Sequence, residues 1–259
     1  MRIKLLALLM LISTNAYAIP DYDGGGTADD NANCGSATTI DQLGVTSGGL
    51  TLSIWACPRT EGEASQGRFI SKISAGAAGG WFITFSPLNE NAFRFTRTGA
   101  TNLVVTARDN SIALGKCQHL AATWTGGTTA STDVQLYNSG SVLVHSADQN
   151  GVTINSDAAN SVFIGNVASD DRATDGRIME VAVYEDDLTP QEIKRLASGT
   201  SGMPLQVRPE ALRAYWPLRE CSSKENCAGT DFFKDYSRYN HDCTPAGTPR
   251  PAGGQVSNP

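Results

Sequence analysis

The sequence predicts an all-β protein, a two-sheet antiparallel sandwich carrying one short helix. Three observations carry that expectation. Segments that alternate apolar and polar residues recur at regular spacing from Leu50 to Gly165, with turn-forming Gly, Asn and Ser between them. A late alternating stretch, 176–184, runs directly into a capped helix near 190–198. Charged residues are only 18% of the chain against 40% apolar ones, enough for one large β core.

The elements follow in order. Residues 19–49 are rich in Gly and Asp and hold no long apolar run. The first clear strand is 50–57, with Leu50, Leu52, Ile54 and Ala56 on one face and Pro58 closing it. A turn-rich stretch leads to a strand at 68–73. Gly79-Gly80 bends the chain into 81–86, and 93–97 and 102–106 follow. Residues 117–124 form the next strand, ended by Gly126-Gly127. Asn138-Ser139-Gly140 joins 133–137 to 141–145 as a tight hairpin. A strand at 161–165 precedes an acidic loop. In 176–184, Ile178, Glu180, Ala182 and Tyr184 share one face, and Met179, Val181 and Val183 the other. Thr189 is the N-cap of the helix, Pro190 its first residue, and Glu192 completes a capping box. Gly199 ends it. From Pro245 to the end the chain is rich in Pro and Gly and reads as a loose tail.

The first residues combine a basic start, an apolar run from Leu5 to Ile12 and the small-residue site Ala16-Tyr17-Ala18. Residues 1–18 therefore read as a secretory signal peptide, with a domain at 19–244 after it. The formal net charge is −6, and loss of Arg2 and Lys4 makes the remainder more acidic. No basic cluster offers a footprint for nucleic acid or an anionic membrane surface, and no later run is apolar enough for membrane insertion.

The six cysteines are Cys34, Cys57, Cys117, Cys221, Cys227 and Cys243. No CxxC pair exists and the three histidines are scattered, so disulfides fit better than zinc. One pairing follows from strand register. If 50–57 and 117–124 are antiparallel with Cys57 opposite Cys117, then Leu50 faces Trp124, Leu52 faces Ala122 and Ile54 faces Leu120. One face is then wholly apolar, and a one-residue slip would mix the faces. Trp55 falls opposite His119 on the other face. The remaining four cysteines stay open; Cys221 and Cys227 bracket a short polar loop and can pair locally.

The ordered set 50–56, 69–72, 119–124, 135–140, 163–165 and 176–193 resembles laminin-G-like, concanavalin A-like jelly rolls over nearly the whole chain. Residues 214–218 and 235–241 are similar to the segment that customarily opens such domains, yet here they come last. The resemblance therefore implies a permuted strand order, with Cys243 beside Cys34 and a bridge between them. Relatives of this kind include lectins, pentraxins, laminin-G modules and glycoside hydrolases, so the fold leaves the function open.

The residues bear differently on each function. A glycosidase needs two carboxylates across a sugar bond; of the Glu-x-Asp-x-Glu strand pattern in related hydrolases only Glu180 is present, followed by Ala182 and Tyr184. No Ser-His-Asp or Cys-His arrangement is apparent. For calcium the candidate ligands are Asp170, Asp171 and Asp175 in the loop after Ile164. The resemblance implies a rim site there, whereas turn-forming, solvated acids are the alternative. Asp21, Asp23, Asp29 and Asp30 form a second acidic group without a fixed frame. For a sugar platform, Trp124 and Trp216 read as core, and Trp81, after two glycines at a strand start, is the exposed candidate. The expected function is a secreted, non-catalytic recognition module that binds a glycan or cell-surface component through rim loops, with calcium as an assisting ion. A structural or adhesive protein of a virion or cell surface is the alternative, and a glycoside hydrolase the third.

Overall fold

The computed structural model describes residues 20–22, 31–45, 48–73, 79–199, 203–220, 233–246 and 250–251. In chain order the strands are β1 (Pro20–Tyr22), β2 (Asn31–Asn33), β3 (Leu50–Pro58), β4 (Arg68–Lys72), β5 (Gly80–Phe85), β6 (Phe93–Thr101), β7 (Leu103–Ala107), β8 (Gln118–Trp124), β9 (Val134–Asn138), β10 (Ser141–Val142), β11 (His145–Gln149), β12 (Val152–Ile154), β13 (Phe163–Ile164), β14 (Gly176–Tyr184), β15 (Leu212–Trp216), β16 (Thr244–Ala246) and β17 (Arg250–Pro251). They form two antiparallel sheets. The eight-stranded sheet runs β10-β9-β8-β3-β14-β1-β17, with β15 also on β14. The nine-stranded sheet runs β11-β7-β6-β5-β4-β13-β2-β16, with β12 on β6.

The main core lies between the sheets. Leu50, Leu52 and Ile54 of β3 meet Phe69, Ile83, Phe93 and Phe95 of the facing sheet in one buried cluster. Strands β3 and β8 pair in the register expected from their apolar faces, Leu50 opposite Trp124 through Trp55 opposite His119. The two bridges Cys57–Cys117 and Cys34–Cys243 are present. The second joins the strand ends beside β2 and β16, which pair directly. Cys221, Cys227, residues 1–18 expected as a signal peptide, and Asp23, Asp29 and Asp30 lie outside the described residues.

A second, smaller core covers the outside of the eight-stranded sheet. The helix α1 (Pro190–Leu196) buries Ile193 and Leu196 against Ala182, Tyr184 and Tyr215. Its capping box is formed: Thr189 N–H donates to Glu192 Oε2 at 2.8 Å, and Glu192 N–H donates to Thr189 Oγ1 at 3.4 Å.

Four expectations are corrected. Glu180 adopts φ 52° at a bulge between Met179 and Ala182, and the extra residue inverts the alternation. Ile178 therefore joins Val181 and Val183 in the main core instead of sharing a face with Ala182 and Tyr184. The hairpin strand expected at 141–145 stops at Val142, and the chain crosses to the other sheet as β11. The stretch from Pro245, read as a loose tail, supplies part of β16 and all of β17 at sheet edges.

Trp81 is the fourth. It is fully buried, not an exposed platform. Alternation along β5 sends Trp81, Ile83 and Phe85 inward together. The preceding Gly80 has φ 132°, and a Cβ there would meet the Lys72 carbonyl oxygen at 1.9 Å. The glycine thus permits a close strand approach; it does not mark an exposed turn.

Candidate functional site

The outward side chains of the nine-stranded sheet form an ordered grid. Because Phe93 and Phe95 point into the core, Arg94 and Thr96 point out, and the same alternation turns Phe82 and Thr84 outward on β5. One cross-strand line reads Phe163, Ser71, Phe82, Thr96, Val104. The next reads Arg68, Thr84, Arg94, Thr106. Phe82 and Phe163 are half-buried and bracket Ser71, which is fully buried and donates its hydroxyl to the Asn166 carbonyl at 2.8 Å. Arg68 and Arg94 on the next line are half-buried, so aromatic surface sits beside guanidinium groups.

The Arg68 guanidinium lies over the Phe82 ring, 3.9 Å from its centroid. Burial lowers the Arg68 pKa to about 10, aided by the positive charge of Arg172 and opposed by Asp171. Burial likewise lowers that of Arg94. Neither arginine has a carboxylate within ion-pair distance among the described residues. Arg68 Nη1, Arg94 Nε and Thr96 Oγ1 are all buried without a hydrogen-bond partner. Thr84, between the arginines, is spent on the Gln66 and Gly67 carbonyls at 2.8 and 3.0 Å. This face offers two half-buried guanidiniums, paired with no described carboxylate, around an aromatic ring, the chemistry that orients a polar ligand.

The rim carboxylates behave differently. Asp175 is held by Arg59, with Nη2 to Oδ1 at 2.6 Å, and accepts from Thr60 Oγ1 at 2.8 Å. Asp170 accepts from Asn31 Nδ2 at 2.8 Å. Asp171 accepts from Ser169 Oγ at 2.6 Å and pairs with Arg172 at 3.2 Å. Among the described residues no three His, Cys, Asp or Glu side chains converge as a metal cage. Asp170, Asp171 and Asp175 therefore do not fit calcium as a shared ligand set: each has its own hydrogen-bond or cationic partner.

A shallow pocket on the other sheet is lined by Ser53, Trp55, His119, Glu180, Leu196 and Pro204. It brings together two residues that the sequence left unconnected. Ser53 Oγ and His119 Nε2 are 2.9 Å apart, and both residues are buried. The ring of His119 also meets Trp55 edge-on at 5.9 Å between centroids. Burial lowers the His119 pKa to about 3, and its Nδ1 has no partner. A base that weak, with no group orienting its second nitrogen, lacks the acid of a catalytic triad. Glu180 is not that acid: it accepts from Tyr215 Oη at 2.5 Å and pairs with Arg219 at 2.6 Å.

The pairing of Ser53 with His119 was accessible in principle from the β3–β8 register, since Ser53 lies opposite Ala121, one diagonal step from His119. The Arg68–Phe82–Arg94 arrangement needed the registers of β4, β5 and β6, for which their repeated outward polar residues were the available signal.

Two antiparallel sheets around one core, with a polar and aromatic outer face, define a jelly-roll sandwich of the lectin type. The family model Laminin_G_3, of the concanavalin A-like lectin/glucanases superfamily, matches residues 29–194, and the chain belongs to that family. Among solved structures it is similar to a putative carbohydrate binding protein from Bacteroides ovatus, with a TM-score of 0.57 and 14% identity over 93% of this chain and 62% of that one. It is also similar to a heptameric SAP-like pentraxin from Limulus polyphemus, with a TM-score of 0.51 and 13% identity over 74% of this chain and 87% of that one. At these identities the likeness concerns the fold. Among curated protein sequences none matches this chain.

Proposed function

We propose that this protein is an exported, non-catalytic carbohydrate-recognition module whose ligand lies on the outer face of the nine-stranded sheet. The observation that carries the reading is the grid itself: half-buried Phe82 and Phe163 lie beside the half-buried side chains of Arg68 and Arg94, neither of which has a carboxylate within ion-pair distance among the described residues. Aromatic area with a few fixed polar groups is how sugars are held and oriented. The family supports the same class. This site replaces the rim loops expected from the sequence, whose carboxylates have partners of their own. Two disulfides support export to an oxidising compartment. Among the described residues no helix is long and apolar enough to cross a membrane.

A glycan array, run with and without chelator on the wild type and on Phe82→Ala, tests the proposal. Binding that survives the chelator and is lost in the variant is the expected result. Silence across diverse glycans would replace this reading with the structural or adhesive one.

A further inference from the structure

We propose that the ligand is anionic, a glycan whose carboxylate or sulfate group is held by Arg68 and Arg94. The inference rests on the carbohydrate reading above and adds the charge class of the sugar.

Desolvating a cation is unfavourable unless a counter-charge or hydrogen bonds compensate. Other partly or fully buried arginines of this fold meet that condition. Arg97 pairs with Asp157 at 2.6 Å, and Arg208 pairs with Glu192 at 2.7 Å. Among the described residues Arg68 and Arg94 have no carboxylate within ion-pair distance, although both are lowered in pKa by burial. Asp171, the carboxylate that acts on Arg68, already accepts from Ser169 and pairs with Arg172. An oxyanion from outside would supply the missing partner.

The geometry suits such a group. Arg68 and Arg94 both lie opposite Thr84, on either side of it. Their backbones are thus two strands apart, about 10 Å, a gap that two long side chains close around one anion. The Phe82 ring beneath it helps hold the Arg68 fork in place, and a held fork is what favours arginine over lysine for a carboxylate or sulfate. The chain as a whole carries a formal charge of −6, so attraction of an anion here is a property of this spot and not of the whole surface.

Isothermal titration with matched oligosaccharides tests the proposal. The probes are oligogalacturonate and its methyl ester for the carboxylate, and sulfated dextran oligosaccharide and plain dextran for the sulfate. The expected result is that at least one charged probe binds at least about tenfold more tightly than its uncharged counterpart, and that Arg94→Gln removes that advantage. Which charged probe binds identifies the anion. Arg94→Lys, which keeps the charge without the fork, should recover only part of the affinity. Equal binding of charged and uncharged probes, or full charge preference in a folded Arg94→Gln, overturns the proposal. If Arg94→Gln does not fold, the wild-type comparison and Arg68→Lys decide. Neutral glycans that bind in a Phe82-dependent way would sink the anion while leaving the carbohydrate reading intact; no binding by any probe or by the array would sink both.

Discussion

Asp157 Oδ2 accepts a hydrogen bond from Arg97 Nη1 at 2.6 Å, with both side chains fully buried. The pair closes one end of the sandwich. Lys72, Trp81 and Arg97 lie side by side across β4, β5 and β6 on the inner face. Lys72 Nζ pairs with Asp41 at 2.7 Å and donates to the Asp157 and Asn160 carbonyls, each at 2.7 Å. Asp157 also accepts from the Gln42 backbone N–H at 2.6 Å. One carboxylate thus ties two loops to the strand ends. Asp157→Ala leaves the Arg97 charge buried and uncompensated, and the expected loss is roughly 3–5 kcal/mol in chemical denaturation. A loss below about 1 kcal/mol would show that water or Asp41 replaces the partner.

The buried His119 makes stability depend on pH. Its folded pKa lies near 3, below the ordinary 6.5, because burial disfavours the charged ring. The unfolded chain therefore takes up this proton first as pH falls. Stability is undiminished above about pH 6.5 and declines from there toward pH 3, by on the order of 4 kcal/mol for this group alone. Denaturation midpoints of wild type and His119→Gln, measured between pH 7 and 4, check this. The variant should show a flatter slope, and identical slopes would contradict the assignment.

The one α-helix among the described residues hangs on its first turn. Thr189→Ala removes the acceptor for the Glu192 N–H, with an expected cost of about 1 kcal/mol. Because α1 covers Ala182 and Tyr184 of the sheet, the loss should appear as a lower melting temperature of the whole domain. A melt identical to wild type would mean that the packing of Ile193 and Leu196 holds the helix unaided.

The Cys57–Cys117 bridge spans a sequence separation of 60. In the chain-entropy model the double Cys57→Ala, Cys117→Ala variant loses roughly 4 kcal/mol. Non-reducing peptide mapping should recover the linked peptides, and free thiols at both positions would remove the basis for this prediction.

Much of this architecture was readable from side-chain pattern. The β3–β8 register follows from two stretches whose apolar faces match in one alignment alone. The helix follows from Thr189, Pro190 and Glu192, where backbone hydrogen bonding is local and the required residue types are few. Other features were invisible for equally physical reasons. A bulge at Glu180 leaves no mark on composition, yet it reverses which face Ile178 occupies. The ring of Trp81 follows β5 inward, whatever its two glycines suggest about turns. Asp175 looks like a metal ligand until Arg59, 116 residues away, is seen to hold it.

Short-range chemistry therefore settled the class of this molecule: strand alternation, one capped helix and a cysteine pair whose register is forced by two greasy faces. Long-range placement settled the site. Whether a guanidinium is neutralised, as Arg97 is, or left without a carboxylate among the described residues, as Arg68 and Arg94 are, depends on which carboxylate folding brings within a few ångströms, and no local pattern encodes that distance.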